Sequence, residues 1–152
     1  MKLSANFSLD ELTKSDTAIR KGIDNTPDEV VLANLQDLVN NILQPVRDKF
    51  GRVKITSGYR SPLLNSSIGG SKTSHHCYGF AADFEVEGKD NKELAEWIRD
   101  NLQFTQLILE FYTPSDPNSG WVHCSYDAKD LKAQVLTATK VDGKTKYVTG
   151  IV

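Results

Sequence analysis

Between Ser74 and Val86 the chain reads Ser-His-His-Cys-Tyr-Gly-Phe-Ala-Ala-Asp-Phe-Glu-Val. The second half has the small residues and period-two alternation of a strand entered from a loop, which places Asp83 inside the strand with its side chain on one face. A carboxylate among Ala, Phe and Val is disfavoured by propensity and costly to bury alone, so it needs a cation, a set of hydrogen bonds or solvent. A metal ion shared with His76 is one such partner, because Gly79 lets the chain reverse between them and imidazole with carboxylate suits zinc. Of three histidines only His123 lies outside this stretch, in a second strand-like run, Trp121 to Tyr126. Three protein ligands are what a catalytic zinc keeps, with one position left open, whereas a structural site normally has four.

The remaining sequence supplies a body for such a site. A length of 152 residues, without repeats or biased tracts, suits one domain over 1–152 with a core of its own. The net charge of -2 and the lack of any Lys/Arg-rich run argue against nucleic acid as a partner. No stretch of about 18 apolar residues and no leader-like N-terminus is present, so membrane insertion is not expected and synthesis in the cytosol is. Cys77 follows His76 and Cys124 follows His123. Converging histidines would make a disulfide sterically conceivable, but two reduced, partly buried thiols are the expectation for a cytosolic chain.

Phe7-Ser8-Leu9-Asp10-Glu11-Leu12 has the form of a capping box with a hydrophobic staple, opening an N-terminal arm that packs on the body through Ile19 and Ile23. Thr26-Pro27-Asp28-Glu29 predicts the start of a long helix with Thr26 as cap, buried through Val31, Leu35, Leu38, Ile42 and Val46. Pro45 should kink it unless the last turn is separate, and Gly51 should end it. Residues 52–57 read as a strand, followed by Arg60 and a long loop to Thr73. Arg60 is either an ordinary surface cation or a clamp for a carboxylate or developing oxyanion. A helix follows from Asp90 through Trp97 and Ile98, then a buried strand, Leu107-Ile108-Leu109, that ends on Glu110. That acid stands either at an exposed strand end or beside something that requires it. The turn-rich segment 113–120 makes Glu110 and His123 neighbours on one antiparallel hairpin. In the tail, Asp142-Gly143 between β-prone runs predicts a further hairpin, to which no chemistry is assigned.

Taken together, Ser74-x-His76-x-x-Gly79-x-Ala81-x-Asp83 and Trp121-x-His123, with Thr56-Ser57-Gly58-Tyr59-Arg60-Ser61 upstream, resemble the zinc D-Ala-D-Ala carboxypeptidases, family fifteen of the metallopeptidases, in the group that includes the hedgehog signalling domain. The resemblance covers roughly residues 27–126, leaving 127–152 as a C-terminal hairpin extension. It implies an α+β fold whose antiparallel sheet, flanked by helices, carries zinc on His76, Asp83 and His123. It also implies substrate binding by Arg60, with Ser74 and Trp121 beside it. Many members carry the catalytic acid three residues before the last histidine, where this chain has Gly120. A glutamate at the end of the preceding strand, as in the hedgehog-like branch, makes Glu110 the expected base and Asp116 the reserve. His75 is expected to be a supporting or surface residue rather than a ligand. The implied activity is hydrolysis of peptidoglycan stem peptides, as a carboxypeptidase or endopeptidase. The chain would be a monomer reaching the wall by holin release, as phage lysis enzymes do. A zinc-bearing virion or binding module of the same fold, without turnover, is the alternative.

Overall fold

The computed structural model describes residues 1–71 and 74–152. Its centre is a six-stranded sheet of β3 (Val53–Ser57), β4 (Ala81–Val86), β5 (Gln106–Glu110), β6 (Trp121–Ser125), β7 (Gln134–Val141) and β8 (Lys144–Thr149), in the spatial order β3-β4-β6-β5-β7-β8. Alternation along the strands divides its two faces. Ala82, Phe84, Leu107, Leu109, Val122 and Cys124 are buried and join one core. On the opposite face the same strands carry Asp83, His123, Ile108 and Glu110.

The core face is covered by helices. The segment 29–50 is built as α3 (Glu29–Leu38), a π-helical turn (Val39–Leu43) and α4 (Gln44–Phe50). Leu35, Leu38, Ile42, Leu43 and Val46 along it are fully buried. The π-turn resolves the problem that Pro45 poses. The hydrogen-bond ladder shifts register there, with the Gln44 amide donating to Val39 O, and Pro45 falls in the first turn of α4, where no amide is needed. α6 (Asn91–Asn101), capped by Asp90, adds Leu94, Ala95 and Ile98 to the core.

The N-terminal arm consists of β1 (Lys2–Ser4), β2 (Phe7–Ser8), α1 (Leu9–Thr13) and α2 (Asp16–Lys21). The capping box is present: the Glu11 amide donates to Ser8 Oγ and the Ser8 amide to Glu11 Oε1. Phe7 and Leu12 are both buried.

Several expectations are corrected. The cap of α3 is Asp28, whose carboxylate accepts from the Val31 amide at 2.9 Å, not Thr26. An ionised carboxylate also meets the positive end of the helix, which a hydroxyl does not. Ile19 is exposed, and Ala18 is the buried residue of α2. The segment expected as loop after Arg60 contains α5 (Pro62–Ser67), capped by Ser61 with Pro62 in its first turn; it is too short to show a periodicity. The end of that expected loop, at Lys72 and Thr73, lies outside the described residues. The sheet is mixed, because β7 pairs parallel to β5, from Gln106 opposite Gln134 to Glu110 opposite Ala138. The C-terminal hairpin, turned at Asp142 (φ 51°) and Gly143 (φ 77°), thereby becomes the last two strands of the central sheet.

Candidate metal centre

Asp83 and His123 stand opposite each other on the antiparallel strands β4 and β6. His123 Nδ1 lies 2.8 Å from Asp83 Oδ1. His76 comes from a different local structure, a 3-10 turn (His75–Tyr78) capped by Ser74 and closed by Gly79 at φ 77°. A side chain at Gly79 would also meet the Val31 carbonyl at 2.8 Å, so this reversal against α3 needs glycine. The turn places His76 Nε2 3.4 Å from Asp83 Oδ2, and the two imidazole centroids are 5.2 Å apart.

His76 is 3% exposed, and its other ring nitrogen, Nδ1, lies 2.7 Å from the Gly58 carbonyl oxygen. That contact fixes the ring so that Nε2 is the nitrogen facing Asp83, and a carbonyl behind the other nitrogen is the arrangement of a metal-ligating histidine. Gly58 approaches so closely because it has no side chain: a Cβ there would lie 2.2 Å from the Leu12 carbonyl oxygen. Burial opposes ionisation of Asp83. Hydrogen bonds from His123 and His76 outweigh it and hold the carboxyl well below the usual carboxylate range.

The three donor atoms lie within 4.8 Å of one another. Two imidazole nitrogens and one carboxylate oxygen, with one histidine oriented by a carbonyl, fit zinc with a coordination position left open. They face a cleft of about 490 Å³, also lined by Arg60, Ser74, His75, Glu110, Trp121 and, from the C-terminal segment, Lys132 and Tyr147. A larger cleft of about 670 Å³ lies along β3 and the end of β4, between Lys14, Lys54 and Glu87, and no histidine lines it.

Arg60, Ser74, Glu110 and Trp121 are all brought to this cleft. Arg60 Nη2 donates to Ser74 Oγ at 3.2 Å, and the same oxygen accepts the His76 amide. Arg60 Nε is buried without a partner among the described residues. Glu110 is partly buried, and Trp121 Nε1 donates to its Oε2 at 2.7 Å. Burial raises the Glu110 pKa; His123, Trp121 and Arg60 pull it the other way, and the Asp83 charge adds to the rise. Trp121 itself packs on Phe111, with centroids 5.4 Å apart.

Asp116 is not brought in. Its carboxylate accepts from the Asn118 amide within its own turn. Gly120 has φ 67°, and a Cβ there would lie 2.0 Å from the Glu110 carbonyl oxygen. The position that holds an acid in many carboxypeptidases of the resembled family therefore has no room for a side chain here. His75 lines the cleft outside the three-donor cluster, edge-on to Phe80. Its pKa is lowered first by burial and then by the charges of His123 and Lys132.

The cysteines do not converge as the histidines do. Cys124 points into the core beneath His123, where burial pushes its thiol pKa far up, while Cys77 is partly exposed; both are free.

Asn25 is a contributor that sequence reasoning missed. Its side-chain amide donates to Thr13 O and Tyr59 O, and its Oδ1 accepts from the Ser61 amide at 2.7 Å. Asn25 thus holds the backbone on both sides of Arg60, whose own amide donates to His76 O. An Asn before Thr-Pro reads as a helix-start residue, and nothing in the sequence pairs it with a loop more than 30 residues away.

A helix-backed sheet carrying a His-Asp-His cluster in an open cleft describes a metallohydrolase, and comparison with known proteins makes the class definite. The Peptidase M15 family model matches residues 5–125, and the chain belongs to that family of zinc-dependent hydrolases. Among its curated relatives, the zinc D-Ala-D-Ala carboxypeptidase of Streptomyces albus G is 38% identical over 68 residues, which is 43% of this chain and 26% of that protein. The chain therefore spans about a quarter of the length of the relative it matches.

Proposed function

We propose that this chain is a zinc peptidase that hydrolyses peptide bonds of peptidoglycan stem peptides, as a carboxypeptidase or an endopeptidase. The observation that carries the reading is the convergence of His76, Asp83 and His123 donors within 4.8 Å, in one cleft with Glu110 and Arg60. The name of the Streptomyces relative supports the choice of substrate class.

His76, Asp83 and His123 would hold the ion. Bound zinc supplies Lewis acidity, making an attacking water more acidic and a carbonyl more electrophilic. Glu110 takes the proton from the attacking water and returns it to the leaving amine, a role suited to a carboxylate whose burial raises its proton affinity. Trp121 fixes one Glu110 oxygen and leaves the other for the water. Arg60, held through Ser74, pairs with a substrate carboxylate or with the negative charge that develops on the carbonyl oxygen.

Zinc content and product release from purified peptidoglycan, compared between the wild type and Glu110→Ala, test this reading. About one zinc per chain in both proteins, with products released by the wild type alone, is the expected result. Zinc without cleavage of any wall type would instead favour a binding module of the same fold. Absence of zinc would remove the site.

A further inference from the structure

The family match ends at Ser125, yet Lys132 and Tyr147 beyond it line the same cleft as the donor cluster. The topology explains how they reach it. After β6 the chain crosses the end of β5, where the Ala133 amide donates to Phe104 O and the Gln134 amide to Thr105 O. It then runs as β7 parallel to β5, on the side of β5 away from β6. Lys132 therefore enters from the β7 flank, whereas Arg60 enters just after β3 on the opposite flank, with the ligand-bearing strands β4 and β6 between them.

The charges in the cleft divide by role. Asp83 belongs to the donor cluster and Glu110 is the base, which leaves Arg60 and Lys132 as the formal charges without a place in the ion's surroundings. Lys132 is half exposed, and its ammonium has one loose partner, Asp130 Oδ2 at 3.8 Å. A solvent-exposed contact of that length contributes little and is readily exchanged for a better anion. The β7 flank of the cleft thus presents a cation held only by the loose Asp130 contact, beside the polar groups of Gln106 and His75.

We propose that Lys132 anchors a carboxylate of the substrate peptide, separate from the group taken by Arg60, so that the C-terminal segment determines which stem peptides the enzyme prefers. The inference rests on the peptidase reading for the identity of the peptide and on the cleft for the charge. Two carboxylates of a stem peptide could be the one held: the α-carboxyl of the D-glutamyl residue, or the C-terminus.

The test uses the zinc-loaded Glu110→Gln chain, so that binding is read without turnover. Calorimetry measures the affinity of Ala-γ-D-Glu-Lys-D-Ala-D-Ala and of two copies of it, one amidated at the glutamyl α-carboxyl and one at the C-terminus. One of the two amidations is expected to weaken binding about tenfold, the size of a charge-assisted hydrogen bond. The same amidation should cost nothing once Lys132→Gln is added, and should again cost affinity with Lys132→Arg, which keeps the charge. Each of three results overturns the proposal: both amidations costing the same with and without Lys132, neither costing anything, or no binding of any peptide. Hydrolysis by the wild type is scored separately. A chain that shows the preference but cuts nothing keeps the anchor and loses the peptidase reading; one that cuts all three peptides, with Lys132→Gln binding them as Lys132 does, keeps the reading and loses the anchor.

Discussion

At the scale of single residues, the site depends on positions that carry no side chain as much as on those that do. Gly58 presents its carbonyl to His76 because nothing stands between its backbone and Leu12. Gly120 turns the chain into β6 against the Glu110 carbonyl. Introducing the acid that many carboxypeptidases of the family carry there should therefore damage the chain rather than assist Glu110. Gly120→Asp is expected to lose at least about 2 kcal/mol from left-handed strain and the backbone clash together, measured by urea unfolding, with no activity gained in a Glu110→Ala background. Cys124 makes a complementary case. It follows His123 in β6 and is fully buried, its thiol without a polar partner among the described residues, so Cys124→Ser should cost about 1–3 kcal/mol by thermal unfolding while zinc affinity changes little.

At the scale of elements, the donors come from parts that are held in different ways. Asp83 and His123 are paired across two central strands, while His76 and Arg60 stand on short turns tied to each other and to the N-terminal arm. The links are the Arg60 amide to His76 O and Asn25 to both Tyr59 and Ser61. Asn25→Ala removes the ties on either side of Arg60 without touching the cleft. It should lower kcat/KM by about tenfold, a loss of roughly 1.4 kcal/mol, and leave one zinc per chain, as checked by steady-state kinetics alongside metal analysis. An Asn25 with a merely local role would lower stability and leave kinetics unchanged. The last two strands behave as an integral layer as well. Ala138 is fully buried, and Thr137 Oγ1 donates to Gly150 O, so removing residues 134–152 would uncover the β5 edge. A chain ending at Ala133 should be unfolded or aggregated, as followed by circular dichroism and size-exclusion chromatography.

At the scale of the whole molecule, helices cover one face of the sheet and the other is left open for chemistry. No helix among the described residues is long and apolar enough to cross a membrane. An ion that joins β4, β6 and the His76 turn stabilises the folded chain by mass action, about 4 kcal/mol at a thousandfold excess over its dissociation constant. Chelation should therefore lower the melting temperature by several degrees, and added zinc should restore it; His123→Ala should abolish the response to zinc. Much of this site was legible beforehand. Local order within ten residues spells out the His76 turn, Gly79 and the Asp83 strand. Glu110 and His123 were readable as partners because a turn-rich segment joins two strand-like runs, and such a hairpin fixes its own pairing. Capping chemistry was legible for the same reason at Ser8 and Asp90, but the long helix is capped by Asp28 and not by Thr26 as read, a difference that rests on a single hydrogen bond. The sequence alone determined the residue types of the candidate metal centre, the strands that bear Asp83 and His123 and the buried stripe of the long helix, since each is set by neighbours within a few residues. Tertiary structure alone decided that the tail hairpin docks parallel to β5, that Asn25 braces the Arg60 loop, and that Lys132 and Tyr147 enter the cleft. Those outcomes depend on which distant edge or carbonyl remains unsatisfied once the rest of the chain has packed, and local pattern carries no record of that.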